Sequence, residues 1–242
     1  MLCKTRGVVL RAIPYNDRYS IITMYTEVFG RASYLVARGR GKRSVVSKSL
    51  FIPLSVLDMD VEHLNKRDLH RVKETRACFP MNDIFCNPIK NVVALFLSEV
   101  LFRVMRDAEP DERLFDYLYE SIRLLEYADK GIANFHMVFL MGLLRYLGIF
   151  PNTDSYKEGN YFDMLNGEFT LAQPLHRHYL DPRESAFFSR LLRISFENMS
   201  LYGFSRQERN LIIEHILEYY RLHLPDFPEI KSLAVIRSLF DS

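Results

Sequence analysis

One stretch of this 242-residue chain has no negative charge: between Val28 and Leu57 there are six Lys or Arg and no Asp or Glu. Other absences exclude whole classes of protein. Cys3, Cys78 and Cys86 are odd in number and form no C-x-x-C pair, so the sequence encodes neither a disulfide framework nor a zinc ribbon. The longest apolar run, Met137 to Leu144, is far too short to span a bilayer. The residues after Met1 lack the apolar stretch and small-residue cleavage site of a signal peptide. A soluble, reduced, intracellular protein is expected. No P-loop, no G-x-G-x-x-G after a strand, no G-x-S-x-G and no H-E-x-x-H occurs, so the usual signatures of nucleotide hydrolysis, dinucleotide chemistry, serine hydrolysis and zinc proteolysis are missing. Internal repeats and low-complexity segments are absent too.

The formal charge of +2 hides an asymmetry. Residues 1–80 hold fifteen Lys or Arg against seven Asp or Glu, a surplus of eight, and the remaining residues carry a deficit of six. A basic first part suits a polyanion, and the acidic remainder suits something else. The basic charge peaks in Arg38-Gly39-Arg40-Gly41-Lys42-Arg43-Ser44. Its glycines permit a sharp turn and close approach to a ligand, while Arg38, Arg40, Lys42 and Arg43 can reach different phosphates of one backbone. A solvated hairpin tip is the plainer alternative. Arg11, Arg18, Arg31 and Lys48 extend the set, with Arg6, Arg71 and Lys73 on the same strands and Tyr15, Tyr19, Tyr25 and Tyr34 interleaved. Cations for phosphates beside rings for bases suit a binder of single strands, or of duplex without sequence preference.

Thr5–Ile13, Tyr19–Thr26, Arg31–Arg38, Leu50–Val61 and Leu69–Arg76 are expected as strands, rich in Val, Ile, Tyr and Thr and separated by turn residues. Five short antiparallel strands suit a small closed barrel such as the OB-fold; periodicity alone admits an SH3-like barrel or a strand-swapped sheet equally. Near Cys78 the texture changes. Asn87-Pro88 has the form of a helix start, and the apolar stripe from Val92 to Met105 follows with helical period. Further helices are expected over Asp111–Tyr127, Ile132–Leu147, from Asp181 through Phe196, from Ser205 and from Ile230 to Phe240. Tyr161–Leu171 reads as a hairpin with Asn166-Gly167 in a type I′ turn.

Some groups carry weaker signals. Asp58 and Asp60 share a strand face and could serve a metal-dependent nuclease, but an exposed face balancing nearby cations explains them as well. His176 and His178, with Asp181 nearby, are too few for a metal site. The ring-bearing helix positions, Phe96, Phe102, Phe135, Phe139, Phe187 and Phe188, are expected in the core.

Five segments in order, Gly7-Val8-Val9-Leu10-Arg11, Tyr15-Asn16-Asp17-Arg18, Ile22 to Gly30, Val36-Ala37-Arg38-Gly39-Arg40 and Pro53-Leu54-Ser55, together resemble the RecO family of DNA repair proteins. The resemblance is strongest over residues 1–80. It continues loosely through the rest, where Leu143 to Pro151 sits where that family has a helix running into its zinc module. It implies an α+β chain of two domains: a five-stranded OB-fold barrel over 1–80, then a mainly helical domain over 81–242 with a hairpin insertion near 150–173. It further implies a non-enzymatic recombination mediator, cytoplasmic and nucleoid-associated, that binds single- and double-stranded DNA and anneals complementary strands. With RecR, such a protein helps load RecA onto DNA covered by single-stranded-DNA-binding protein. Arg38, Arg40, Lys42 and Arg43 occupy the family's basic loop. One departure concerns zinc: many members carry four cysteines in the insertion, but Pro151 to Gln173 contains none, so no cofactor is expected. For the acidic tail of single-stranded-DNA-binding protein, Arg190, Arg193 and Arg206 beside Phe187 and Phe188 form the expected contact set. The rival from another class is a protein-interaction adaptor whose basic barrel recognises acidic protein segments.

Overall fold

The computed structural model describes residues 2–37, 50–64, 67–154 and 156–239. Arg38, Arg40, Lys42, Arg43 and Lys48 lie outside the described residues. A first compact unit reaches to Tyr127 and takes in Ile230–Ile236, while a second holds Ala128–Glu229.

In the first unit, β1 (Leu2–Pro14), β2 (Tyr19–Thr26), β3 (Gly30–Ala37), β4 (Val56–Glu62) and β5 (Leu69–Ala77) close an OB-type barrel in the order β1-β2-β3-β5-β4. Neighbours are antiparallel except β3 and β5, which run parallel from Ser33↔Leu69 to Leu35↔Arg71. The long β1 serves both sides: its first half pairs with β4, its second half pairs with β2, and the register shifts between Val9 and Arg11. Alternation sends Ile22, Met24, Ala32, Tyr34, Val36, Leu57, Met59 and Val61 into the barrel. The fourth strand begins later than expected. Pro53 brings no N–H, Leu54 takes a left-handed φ of 64°, and Leu54 N and Ser55 O bond to Val9 instead of continuing a ladder.

Three helices follow: α1 (Asn82–Cys86), α2 (Pro88–Val104) and α3 (Glu112–Tyr127). The Asn87 side chain caps α2 by accepting from Ile89 N and Lys90 N, and Asp111 Oδ1 caps α3 by accepting from Leu114 N (3.1 Å). Helix α1 is not among the helices expected from the sequence. Its first N–H groups, on Asp83 and Ile84, donate to the Glu126 carboxylate at 2.9 Å each, and Lys90 Nζ donates to the Glu126 carbonyl while pairing with Asp83. Lys90 is only 1% exposed, so this network has to be complete.

The second unit contains α4 (Ile132–Tyr146), a three-stranded sheet of β6 (Tyr161–Asp163), β7 (Glu168–Thr170) and β8 (Tyr179–Leu180), then α5 (Pro182–Leu191) and α6 (Arg206–His223). Capping boxes at Asp181–Glu184 and Ser205–Glu208 open the last two. Helix α5 ends at Leu191, short of Phe196. The hairpin is present but is not the two-residue type I′ form. Met164–Gly167 make a four-residue turn in which Asp163 Oδ1 accepts from Leu165 N and Asn166 N, and among its residues only Gly167 has positive φ.

Candidate nucleic-acid interface

At one end of the barrel, the β1–β2 turn holds Arg18. Asn16 Oδ1 accepts from Arg18 N and Tyr19 N, both at 2.9 Å, and this fixes the turn while the Arg18 side chain stays exposed. Tyr15 and Tyr19 are 60% and 37% exposed, so both rings are open to a stacking partner beside Arg18. Tyr19 pairs with Ala37, the last residue before the basic stretch. Strand β3 therefore ends, at Ala37, beside exposed Tyr19 and the turn that holds Arg18.

Along the flank of the barrel, three guanidinium groups converge on one ring. Arg11 of β1, Arg31 of β3 and Arg103 of α2 lie 5.0, 4.5 and 5.6 Å from the centroid of Phe102. Arg31 Nη1 also donates to the Phe102 carbonyl (2.8 Å). Burial holds the Arg31 guanidinium below its usual pKa; the like charges of Arg106 and Arg103 push the same way, and Asp107 pulls against them. Phe102 is thus half-buried beneath arginines, where a core ring was expected. The turn after α2 is tied to the β2–β3 hairpin: Arg31 N donates to Ala108 O (2.9 Å), and Tyr25 OH donates to Glu109 O and accepts from Asp111 N. Gly30, at φ 60°, sits so close that an added Cβ would lie 2.4 Å from Ala108 O.

Several other barrel cations are already committed. Arg6 makes a bidentate pair with Glu27 (2.9 and 2.6 Å) and lies 5.1 Å from the rings of both Phe115 and Tyr119. Hydrogen bonds from Arg6 hold the Glu27 carboxyl below its usual range, and the Arg6 guanidinium is raised in turn. Lys73 pairs with Glu62 at 2.9 Å. Asp58, the nuclease candidate, accepts two hydrogen bonds from Arg76, and Asp60 stands between Lys4 and Glu74 in the ladder. These residues line a trough of about 290 Å³ with mixed charge. Among the described residues no three His, Cys, Asp or Glu are placed to hold a metal ion.

In the second unit, Phe188 is 2% exposed and packs on Phe162 (4.6 Å), which makes it core rather than surface. Phe187, Leu211 and Ile212 floor a small apolar cleft between α5 and α6, with Glu184, Glu208 and His215 at its rim. Arg190 lies 6.0 Å from the Phe187 ring, and Arg193 and Arg206 are exposed. The insertion does not fit a thiolate zinc site. Phe162, Met164, Phe169 and Leu180 fill its interior, and imidazole–carboxylate pairs, His176 with Asp163 (3.2 Å) and His178 with Glu218 (3.0 Å), brace it. The cysteines lie elsewhere, and burial pushes the Cys78 thiol up to about 11.

Comparison with known proteins decides the family. The family model for the N-terminal part of recombination protein O matches residues 1–81, and that for its C-terminal part matches residues 87–234. The chain belongs to the RecO family. The DNA repair protein RecO of Bacteroides fragilis is 46% identical over 242 residues, covering all of both chains. RecO of Azobacteroides pseudotrichonymphae is 43% identical over 241 residues, again over the whole of both, and RecO of Porphyromonas gingivalis is 37% identical over 245. As a RecO-family DNA repair protein, the chain has an OB-type barrel that carries exposed Arg18 at the β1–β2 turn and Arg11, Arg31 and Arg103 around Phe102. Among the described residues no helix is long and apolar enough to cross a membrane.

Proposed function

We propose that the protein is a recombination mediator: it binds single- and double-stranded DNA, anneals complementary strands, and with RecR helps load RecA onto DNA covered by single-stranded-DNA-binding protein. The observation that carries this is the hairpin end of the barrel, where exposed Tyr15 and Tyr19 flank Arg18 and the residue from which Arg38, Arg40, Lys42 and Arg43 follow. Rings stack bases and cations neutralise phosphates, so two strands can be brought together with their bases exposed. Annealing of this kind requires no general base and no turnover. The protein acts in the cytoplasm, on nucleoid DNA. The acidic tail of single-stranded-DNA-binding protein would use Arg190, Arg193 and Arg206 as its charges and Phe187 as its apolar contact, outside the cleft that Glu184 and Glu208 rim.

The test is annealing of complementary labelled oligonucleotides coated with cognate single-stranded-DNA-binding protein, comparing wild type with Arg38, Arg40, Lys42 and Arg43 together changed to alanine. Wild type should accelerate annealing and the folded variant should not. A wild type that neither binds nor anneals would leave the adaptor reading, in which acidic protein segments occupy the barrel.

A further inference from the structure

We infer that the arginine cluster around Phe102 is a second phosphate-binding site, taking the backbone of the same nucleic-acid strand that the hairpin end engages. The inference rests on the DNA-binding reading and adds to it Phe102, Arg103 and Arg106, which lie on or just after α2.

Arginines near a helix C-terminus commonly serve the helix itself, because its last carbonyls and its dipole attract cations. Here that need is met by one residue: Arg31 Nη1 takes the Phe102 carbonyl. Arg11 and Arg103 make no ion pair with a carboxylate among the described residues. Arg103 Nε is buried without a hydrogen-bond partner, a donor left unspent inside the cluster. Glu99 uses its oxygens to accept from Lys231 N (3.0 Å), Ser232 N (2.8 Å) and Ser232 Oγ (2.5 Å) and forms no ion pair with Arg103, although the Arg103 charge is felt at its carboxyl. The Phe102 ring attracts the guanidinium groups but carries no net charge to cancel theirs. Three planar forks around one ring, with the charge of Asp107 at Arg31 opposed by those of Arg106 and Arg103, therefore leave a positive surplus suited to an anion with several acceptor oxygens.

The spacing favours a chain of phosphates over a single one. Arg31 and Ala37 are six residues apart on one strand, roughly 20 Å at the usual rise. A nucleic-acid strand in duplex form advances about 3.4 Å per phosphate, so about six nucleotides of duplex match the distance from Arg31 to Ala37, the last described residue before the basic stretch. Arg11, exposed on β1, lies on the same flank.

Two measurements test this. In wild-type protein, dicarbonyl modification of arginines is read by mass spectrometry with and without a long single-stranded oligonucleotide, and with a mononucleotide at equal phosphate concentration. Arg11 and Arg103 should be protected by the oligonucleotide and not by the mononucleotide. In parallel, affinity is followed against salt for wild type, for R11Q/R103Q and for the loop alanine variant. Loss of two phosphate contacts should reduce the log–log salt slope of R11Q/R103Q by about 1.4, with the loop variant losing its own share independently. Unchanged reactivity of both arginines, or a full slope in the folded R11Q/R103Q protein, would overturn the site while leaving loop-based DNA binding intact. Equal protection by the mononucleotide would make it a nucleotide pocket instead. A wild type with no salt-dependent binding would sink the DNA reading itself.

Discussion

Two regions of the barrel unit use the same materials in opposite ways. Arg6 sits over Phe115 and Tyr119, and Arg11, Arg31 and Arg103 sit around Phe102, all at 4.5 to 5.6 Å from a ring centroid. Around Arg6, Glu27 supplies a bidentate partner and Asp116 stands 3.8 Å away. Around Phe102 no carboxylate pairs in this way among the described residues, and the Arg31 guanidinium bears the cost of burial, with Asp107 on one side and the like charges of Arg106 and Arg103 on the other. The first arrangement fastens α3 to the barrel. The second holds Arg11 and Arg103 beside a ring with no ion pair among the described residues. Counting arginines therefore says little about binding; what matters is which of them already have partners.

The largest effect is expected where the second arrangement is anchored. Gly30→Ala would force a Cβ to within 2.4 to 2.7 Å of the backbone of Ala108, Glu109 and Pro110, at a φ that favours glycine. Strain and overpacking together should cost about 2–5 kcal/mol, read as a lower midpoint in urea. Gly148→Ala is the control, since Gly148 shares the left-handed conformation (φ 71°) but has nothing within 4 Å of its would-be Cβ. It should cost about 1–2 kcal/mol, the backbone penalty alone. Equal losses in the two variants would mean that the turn after α2 yields freely and does not hold the Phe102 cluster in place.

A smaller effect is expected from making the first region like the second. Glu27→Gln removes the charge opposite Arg6 and should cost about 1 kcal/mol, a figure kept low because both side chains are about one-third exposed. The pH dependence has a definite sign. The Glu27 carboxyl is depressed in the folded protein, so its contribution is complete above the unfolded carboxylate range and is lost as pH falls through the folded value. Wild type and Glu27→Gln should therefore differ in thermal midpoint at pH 7 and converge as the pH falls below about 4. A gap that stays constant down to pH 3 would show that the charge of Glu27 is not what matters.

Much of this fold was legible in the order of residues. The five strands follow from alternation, and Asn87-Pro88, Asp181–Glu184 and Ser205–Glu208 mark helix starts by local chemistry that the structure reproduces. The errors arose where distant residues decide. Helix α1 depends on a carboxylate about forty positions away, at Glu126, and nothing near Asn82 announces it. Phe102 falls on the apolar stripe of α2, and periodicity cannot reveal that Arg31, 71 residues earlier, lies over its ring. The same limit applies to Arg6, which looks like any other barrel cation until Glu27 is found beside it. Asn166-Gly167 misled for a local reason: the Asp163 side chain captures two N–H groups and selects a longer turn.

The smallest effect sharpens the comparison most cheaply. Arg76 is a barrel cation with an 82% exposed side chain, and its partner is Asp58 across the β4–β5 ladder. An exposed pair of this kind contributes little to folding because solvent and salt screen it. Arg76→Ala should leave the thermal midpoint unchanged within measurement error. It should also leave the salt slope of DNA binding unchanged, although it removes as much formal charge as Arg103→Gln does. The reason is that Arg76 exchanges its charge with Asp58 and has little left to offer a phosphate, while Arg103 has no such partner. If the two substitutions reduced the slope equally, DNA would be responding to the net charge of the barrel, and the distinction between committed and unspent arginines would carry no weight in binding.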